Sequence, residues 1–382
     1  MPDSSRAVLA QTRRLVVKLG TNVIMRSDGL PALSRLYGIL ESVATLGREG
    51  RQVVLVSSGA IGLGAHQLGL DHKPELLAEK QACAAVGQGL LMGLYQAGFS
   101  RLGMTAAQVL LTEYDFSNRQ RYLNLRSTLE KLLELGVVPI INENDTVSTL
   151  ELESRLGFRT PPVFGDNDKL SALVASGLEA DTLLILSDVA GLYTGNPNKD
   201  PEARLIPRVA ELTAEIEACA DGQSSRGRGG MASKLAAVRV AVQAGTRVVI
   251  ANGAAPGILD QVLDGQEVGT LFEPGRRVKG RKRWIAHASQ VSGRLRVNDG
   301  AREVLLAGRA SLLAAGVVGL EGDFERDDVV AIADAQGHDF ARGVVTLDRA
   351  EADRTLDPDQ QRNPATGQVL VSRDTFVLLG EA

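Results

Sequence analysis

The chain has 382 residues and only two cysteines, Cys83 and Cys219, far apart in sequence. That scarcity excludes a disulfide framework and a paired-cysteine zinc site, and leaves each thiol as a small apolar residue for the interior. No run approaches the ~18 apolar residues that a membrane span needs. The stretch from Met1 to Arg14 lacks the apolar core of a signal peptide, so the expected address is the cytoplasm. A strong charge of either sign is also missing: the net charge is −4, which argues against wholesale nucleic-acid binding because that shows as a basic excess. No Gly-Lys dipeptide occurs, which excludes a Walker A loop in its usual form. Lysine itself is scarce, supplying nine of 42 basic residues. A lysine inside a Gly-rich motif therefore stands out, since arginine does not replace a compact charge on a phosphate.

What is present describes an ordinary globular protein, 44% hydrophobic and 23% charged. The length suits one large domain and a smaller one, because single cores stop growing near roughly 250–300 residues. Short apolar runs at Leu15–Leu19, Val53–Val56, Val137–Ile141, Thr182–Leu186 and Arg247–Ala251 are each followed at once by Gly, Ser, Asn or Asp. They read as buried strands opening into functional loops. Helical spacing fills Leu33–Leu46, Lys80–Leu102, Arg119–Leu135 and Leu170–Leu178. The alternation predicts an α/β fold, an open αβα sandwich around a mainly parallel sheet. Ligands of such sheets bind beyond the carboxyl ends of the strands, where this sequence concentrates its polar residues.

Five clusters carry candidate chemistry. Lys18 ends the first strand two residues before Gly20, and Ser57-Ser58-Gly59-Ala60-Ile61 follows the second. Asn142-Glu143-Asn144-Asp145 follows an apolar strand, and Gly165-Asp166-Asn167-Asp168-Lys169 precedes an apolar helix. Singly, each of these two is also the ordinary composition of a cap or turn. Together they suit gripping an ammonium group, orienting lysines or helping to hold a metal through water. Finally, Gly227-Arg228-Gly229-Gly230-Met231-Ala232-Ser233-Lys234 opens a helix, and glycines with a helix start favour phosphate.

The order Val-Lys-Leu-Gly, Ser-Ser-Gly-Ala-Ile, Asn-Glu-Asn-Asp, Gly-Asp-Asn-Asp and Gly-Gly-Met-x-x-Lys resembles the glutamate 5-kinase family over nearly the whole chain. Gly191-Leu192-Tyr193-Thr194 and Lys282-Arg283-Trp284-Ile285 are similar to it too. The resemblance implies that Lys18 and Lys234 neutralise the transferring phosphoryl group while Asp168 holds the lysines. It implies that Ser58, Asp145 and Asn167 bind L-glutamate, and that Ser187, Asp188, Arg228, Gly229, Gly230, Met231, Ala232, Ser233 and Lys234, with Lys18, line the ATP site. ATP would bring Mg2+, with no resident metal site. The family is commonly inhibited by proline, self-associates through its kinase domain as a dimer or tetramer, and hands its acyl phosphate to a glutamyl phosphate reductase. Arg228 and Ser187 stand where the family usually has threonine, and the 146–165 segment is longer than the family's. A lid over glutamate and a plain surface insertion both fit that segment.

The pattern changes after Phe272. Six basic residues fall within 276–283, giving domains at 1–275 (kinase), 276–283 (basic linker) and 284–382 (a β-rich module and tail). Gly293–Val297, Val329–Ile332 and Gly343–Leu347 have strand character, and the module resembles a PUA domain, expected as a small barrel. Related PUA modules bind RNA, but residues 284–382 carry ten basic against sixteen acidic residues, a poor match to a polyanion. Two rivals are an amino-acid kinase acting on acetylglutamate, aspartate, carbamate or UMP, and an RNA-binding regulator built on an inactive kinase fold.

Overall fold

Parallel strands covered on both faces must be apolar along their length, and the inner strands here are. The computed structural model describes residues 4–72, 74–112, 114–117, 119–147, 167–197, 199–220, 230–275, 285, 291–308, 310–356 and 367–379. Two compact units emerge: Met1–Thr112 with Arg126–Arg277, and Glu113–Leu125 with Val278–Ala382.

In the first unit the described strands are β1 (Arg14–Leu19), β2 (Gln52–Ser57), β3 (Ala106–Leu111), β4 (Val138–Glu143), β5 (Thr182–Ser187), β6 (Arg208–Val209), β7 (Arg247–Asn252) and β8 (Thr270–Phe272). They form one sheet in the order β3-β4-β2-β1-β5-β7-β8-β6. The first six positions are parallel, and β8 turns antiparallel to β7. The chain leaves β1 toward β2 on one side and later returns to pair β5 on the other. That makes the end of β1 the switch point where a ligand crevice forms. The register aligns Ser57, Leu19 and Leu186 across three strands, so the loops after β2, β1 and β5 emerge side by side.

Helices between residues 33 and 263 include α1 (Leu33–Arg48), α2 (Ala60–Gln67), α3 (Leu77–Arg101), α4 (Arg119–Glu134), α5 (Asn167–Gly177), α6 (Met231–Gln243) and α7 (Ile258–Leu263). Leu15, Val17 and Leu19 of β1 join Leu36, Leu40 and Val43 of α1, Tyr95 and Phe99 of α3, and Leu259 of α7 in one core. Alternation along the strand sends the intervening residue, Lys18, to the opposite face. There α5 packs against β1, β2, β4 and β5, and against α6. All of α5 from Asp168 to Gly177 except Lys169 is buried, so it is apolar nearly all round, as an internal helix must be.

The second unit holds β9 (Gly293–Val297), β10 (Leu312–Leu313), β11 (Val317–Gly322), β12 (Val329–Ala333), β13 (Asp339–Val345) and β14 (Val369–Leu378). They form a sheet in the order β10-β14-β13-β12-β9-β11, antiparallel except where β9 meets β12. Leu295, Val330, Ile332, Val345 and Phe376 build its core. Tyr122, from the 113–125 stretch, packs on a smaller cluster of Ile285, Val329, Val344 and Val377. The basic 276–283 linker, Trp284 and the 148–165 segment lie outside the described residues.

Helices α2 and α3 meet at their closest through glycine. A Cβ at Gly64 would stand 1.8 Å from the Cys83 carbonyl oxygen, and one at Gly87 would stand 1.8 Å from that of Ala60. Neither backbone can yield cheaply, so Gly87→Ala is expected to cost about 1–3 kcal/mol in urea unfolding. Gly89, exposed on the same helix with nothing within 4 Å, is the contrasting site. Gly89→Ala is expected to stabilise by roughly 0.5–1 kcal/mol through backbone entropy and helix propensity. Equal effects of the two substitutions would refute the close crossing.

Candidate active site

Asp168 enters the first turn of α5 with no exposed surface. A buried carboxylate must be paired, and here two lysines share it. Lys18 Nζ lies 2.6 Å from Oδ1, and Lys234 Nζ donates to Oδ2 at 3.1 Å. Both lysines are themselves about 95% shielded, at 5% and 4% exposure. Desolvation pushes the Asp168 carboxyl upward, but the charges of Lys18 and Lys234 and their hydrogen bonds outweigh it and hold the group below the ordinary aspartate range. Among the described residues, two ammonium groups thus converge on one carboxylate, a cationic centre beneath the loops of β1 and β5.

The surrounding backbone is shaped for this pair. Gly20 follows Lys18, and a Cβ there would meet the Leu186 carbonyl oxygen at 3.2 Å and Lys18 Nζ at 3.5 Å. Lys234 sits in the first turn of α6, whose N-cap, Gly230, offers no side-chain cap. Its opening turn, Met231, Ala232 and Ser233, presents amides at the positive end of the helix dipole. At the end of β5, Ser187 Oγ donates to Asp188 Oδ1 at 3.0 Å and Asn22 Nδ2 donates to Oδ2 at 2.7 Å. Burial alone would raise the Asp188 carboxyl, yet these bonds and the charge of Lys234 set it below its usual range. Arg35 donates to the Asn22 carbonyl at 2.7 Å, steadying that corner.

Around Ser58 the direct contacts are made by neutral groups. Asn167 Nδ2 lies 3.0 Å from Ser58 Oγ, 3.1 Å from the Ser57 carbonyl oxygen and 2.9 Å from Asn142 Oδ1. Ser58 is presented by Gly59, whose φ of +104° belongs to the left-handed region that glycine enters at little cost. Below, Ser57 Oγ hydrogen-bonds the fully buried Tyr95 hydroxyl at 2.7 Å.

The structure therefore brings Lys18, Asp168 and Lys234 into direct contact and sets Asn167, beside Asp168 in sequence, against Ser58. Ser187 and Asp188 lie at the neighbouring strand end, with Gly230, Met231, Ala232 and Ser233 in the approach to Lys234. Asp145 falls in the turn after β4, two residues beyond Glu143. Arg228 and Gly229, with Gly165 and Asp166, lie outside the described residues. Sequence reasoning quoted Asn142 inside a motif without giving it a place in the site, and gave none to Asn22, Gln88, Tyr95 or Arg35. Gln88 is one of several polar residues on α3, with Glu79, Lys80, Gln81 and Gln96, so nothing in the sequence singled it out.

The amino acid kinase family model matches residues 13–252 and the PUA domain model matches residues 293–356. The glutamate 5-kinase of Moorella thermoacetica is 44% identical, covering 98% of each chain. That of Myxococcus xanthus is 47% identical over 92% of this chain and 91% of its own. This chain belongs to the glutamate 5-kinase family. Glutamate 5-kinases from Gloeobacter violaceus, 48% identical over 89% of this chain, and from further bacteria extend the match. A carbamate kinase of Giardia lamblia bound to AMP-PNP is a solved structure with TM-score 0.48 and 18% identity, covering 70% of this chain and 100% of that one. Within the glutamate 5-kinase family the chain is an enzyme, and its kinase and PUA regions correspond to the two sheets described. No described helix is long and apolar enough to cross a membrane.

Breaking a buried ionic cluster by removing its shared partner is expensive, because cations are left without compensation. Asp168→Asn is expected to lose about 3–5 kcal/mol in chemical denaturation. Because the folded-state carboxyl lies below its unfolded value, near 3.9, its contribution is complete above that pH. It disappears as pH falls through the lower folded value. The wild-type unfolding midpoint should therefore drop below about pH 4 by more than the Asp168→Asn midpoint does; parallel profiles would refute the coupling.

Proposed function

We propose that the chain transfers the γ-phosphoryl group of ATP to the side-chain carboxylate of L-glutamate, giving L-glutamyl 5-phosphate and ADP, the first step of proline synthesis. The observation that carries the chemistry is the buried contact of Lys18 and Lys234 with one carboxylate, Asp168, beneath the strand ends. Family membership supplies the acceptor.

The acceptor is ionised at neutral pH, since a glutamate side chain has a pKa of about 4.3, so no general base is needed. A carboxylate oxygen attacks the γ-phosphorus, the bond from phosphorus to the bridging oxygen breaks, and ADP leaves with the electron pair. The barrier lies in bringing two anions together, and charge stabilisation with positioning is what phosphoryl transfer asks of a protein. Lys18 and Lys234 meet that demand from opposite sides of Asp168, which keeps their ammonium groups in register. The α6 opening turn, with Ser187 and Asp188, receives the nucleotide. Ser58 accepts a hydrogen bond from Asn167 and retains its own hydrogen to donate to glutamate, and the family resemblance adds Asp145 to the glutamate contacts.

Among the described residues no three His, Cys, Asp or Glu gather as a metal site, and Asp168 is engaged by lysines. The family resemblance brings magnesium in with ATP, where it would neutralise charge on the phosphates. Inhibition by proline in the glutamate pocket, self-association through the kinase domain, delivery of the acyl phosphate to a reductase and a cytoplasmic location are carried over from the family resemblance.

Purified protein incubated with ATP, magnesium and hydroxylamine tests the reading, with glutamate compared against aspartate, acetylglutamate, carbamate and UMP. Glutamate-dependent hydroxamate is the expected result, and turnover with another acceptor alone would overturn it. Lys234→Ala should lower kcat by at least about 10²-fold, the scale of losing a transition-state charge contact, with its circular dichroism unchanged. A folded variant with near wild-type turnover would remove Lys234 from the mechanism.

A further inference from the structure

The amides at the ends of β2 and β4 have a polarity that can be read atom by atom. A backbone carbonyl only accepts hydrogen bonds, so the Asn167 atom 3.1 Å from the Ser57 carbonyl is nitrogen. The same Nδ2 meets Asn142 at 2.9 Å, which obliges Asn142 to present its oxygen there. Its nitrogen then faces the other way and donates to Gln88 Oε1 at 2.9 Å. Asn142 is 3% exposed, so water cannot replace that acceptor without cost.

One consequence is left at the far end of this relay. Asn167 Oδ1 is buried and has no hydrogen-bond partner among the described residues. An unmet buried acceptor costs about 1–3 kcal/mol, which a donor on the ligand would recover. L-glutamate carries one strong donor group, its α-ammonium, alongside two carboxylates that only accept.

We propose that Gln88 is a positioning residue for the acceptor substrate. By accepting from Asn142 it holds both asparagine amides in the orientation that keeps Asn167 Oδ1 available to the α-ammonium of glutamate. Without an acceptor at position 88 the Asn142 amide turns to find one. Its nitrogen then confronts Asn167 Nδ2, and Asn167 can answer only by turning its oxygen against the Ser57 carbonyl or by moving away. Gln88 is therefore set to favour an amino dicarboxylate over a plain one. The proposal rests on glutamate being the acceptor.

The test uses the full-length protein and two ligands, L-glutamate as substrate and glutarate, which lacks the α-ammonium, as competitive inhibitor. Gln88→Met removes the acceptor at nearly constant length, and Gln88→Glu restores one. Gln88→Met should raise KM for glutamate about 10-fold, the scale of one hydrogen bond and its orphaned partner. KM for ATP, kcat and the inhibition constant of glutarate should stay within about 2-fold, the range of a substitution outside the contacts that matter. Gln88→Glu should return the glutamate KM to near the wild-type value. A Gln88→Met enzyme with unchanged KM, or with glutamate and glutarate weakened in parallel, overturns the proposal, because parallel loss is what mere loosening of the pocket would give. Should Gln88→Met not fold, Gln88→Lys, whose ammonium can only donate, carries the same comparison. Wild-type protein with no glutamate-dependent turnover would defeat the glutamate assignment itself, whereas active wild type with indifferent variants defeats only the role of Gln88.

Discussion

Burying one carboxylate against two lysines is the constraint on which the rest of this molecule turns. Asp168, without exposed surface, is joined to Lys18 from β1 and Lys234 from α6. Charges in such a place lose their hydration, and only close, well-aligned partners offset the loss. The cluster therefore dictates where three elements must lie. β1 has to be central, α5 has to cross the sheet at its carboxyl edge, and α6 has to begin beside it. The same geometry that makes the cluster tolerable holds two ammonium groups in fixed positions on one carboxylate.

The two sides of the site use different physics. Toward β5 and α6 the groups are charges and helix-end amides, suited to polyphosphate, which is recognised by field as much as by shape. Toward β2 and the middle of the site neutral amides and hydroxyls meet, with Asn167 linking Ser58 to Asn142, while Glu143 and Asp145 bring carboxyls at the end of β4 and in its turn. Neutral groups with fixed donor and acceptor directions discriminate between ligands that differ by one polar group, because a mismatch leaves a buried atom unpaired. The proposed division, nucleotide on the cationic side and acceptor on the amide side, follows from that difference in physics.

Much of the fold could be read beforehand because the inner strands are continuous aliphatic runs. Leu15–Leu19 became Arg14–Leu19 and Thr182–Leu186 became Thr182–Ser187, the strand ends shifting by one residue. β3 escaped notice, being a partly exposed edge strand interrupted by Gln108, and so did the short β6 and β8, too brief for any period to show. In the second unit β9 was found as Gly293–Val297, but β14 was missed, since Ser372, Arg373 and Asp374 break its apolar pattern. No periodicity could reveal that Tyr122, 163 residues before Ile285 in sequence, shares a cluster with it.

By itself the sequence determined the class of fold, the two lysines with their aspartate, and the family, because apolar period and short motifs are local properties. Tertiary structure alone decided which amides meet. Gln88 and Asn142 are 54 residues apart, and Asn142 and Asn167 are 25 apart. Whether such side chains touch depends on how α3, β4 and α5 converge at one sheet edge. The direction of a hydrogen bond adds a second requirement that residue identity cannot express: an amide has two ends, and only a neighbour that is limited to accepting, here the Ser57 carbonyl, decides which end of Asn167 turns toward it.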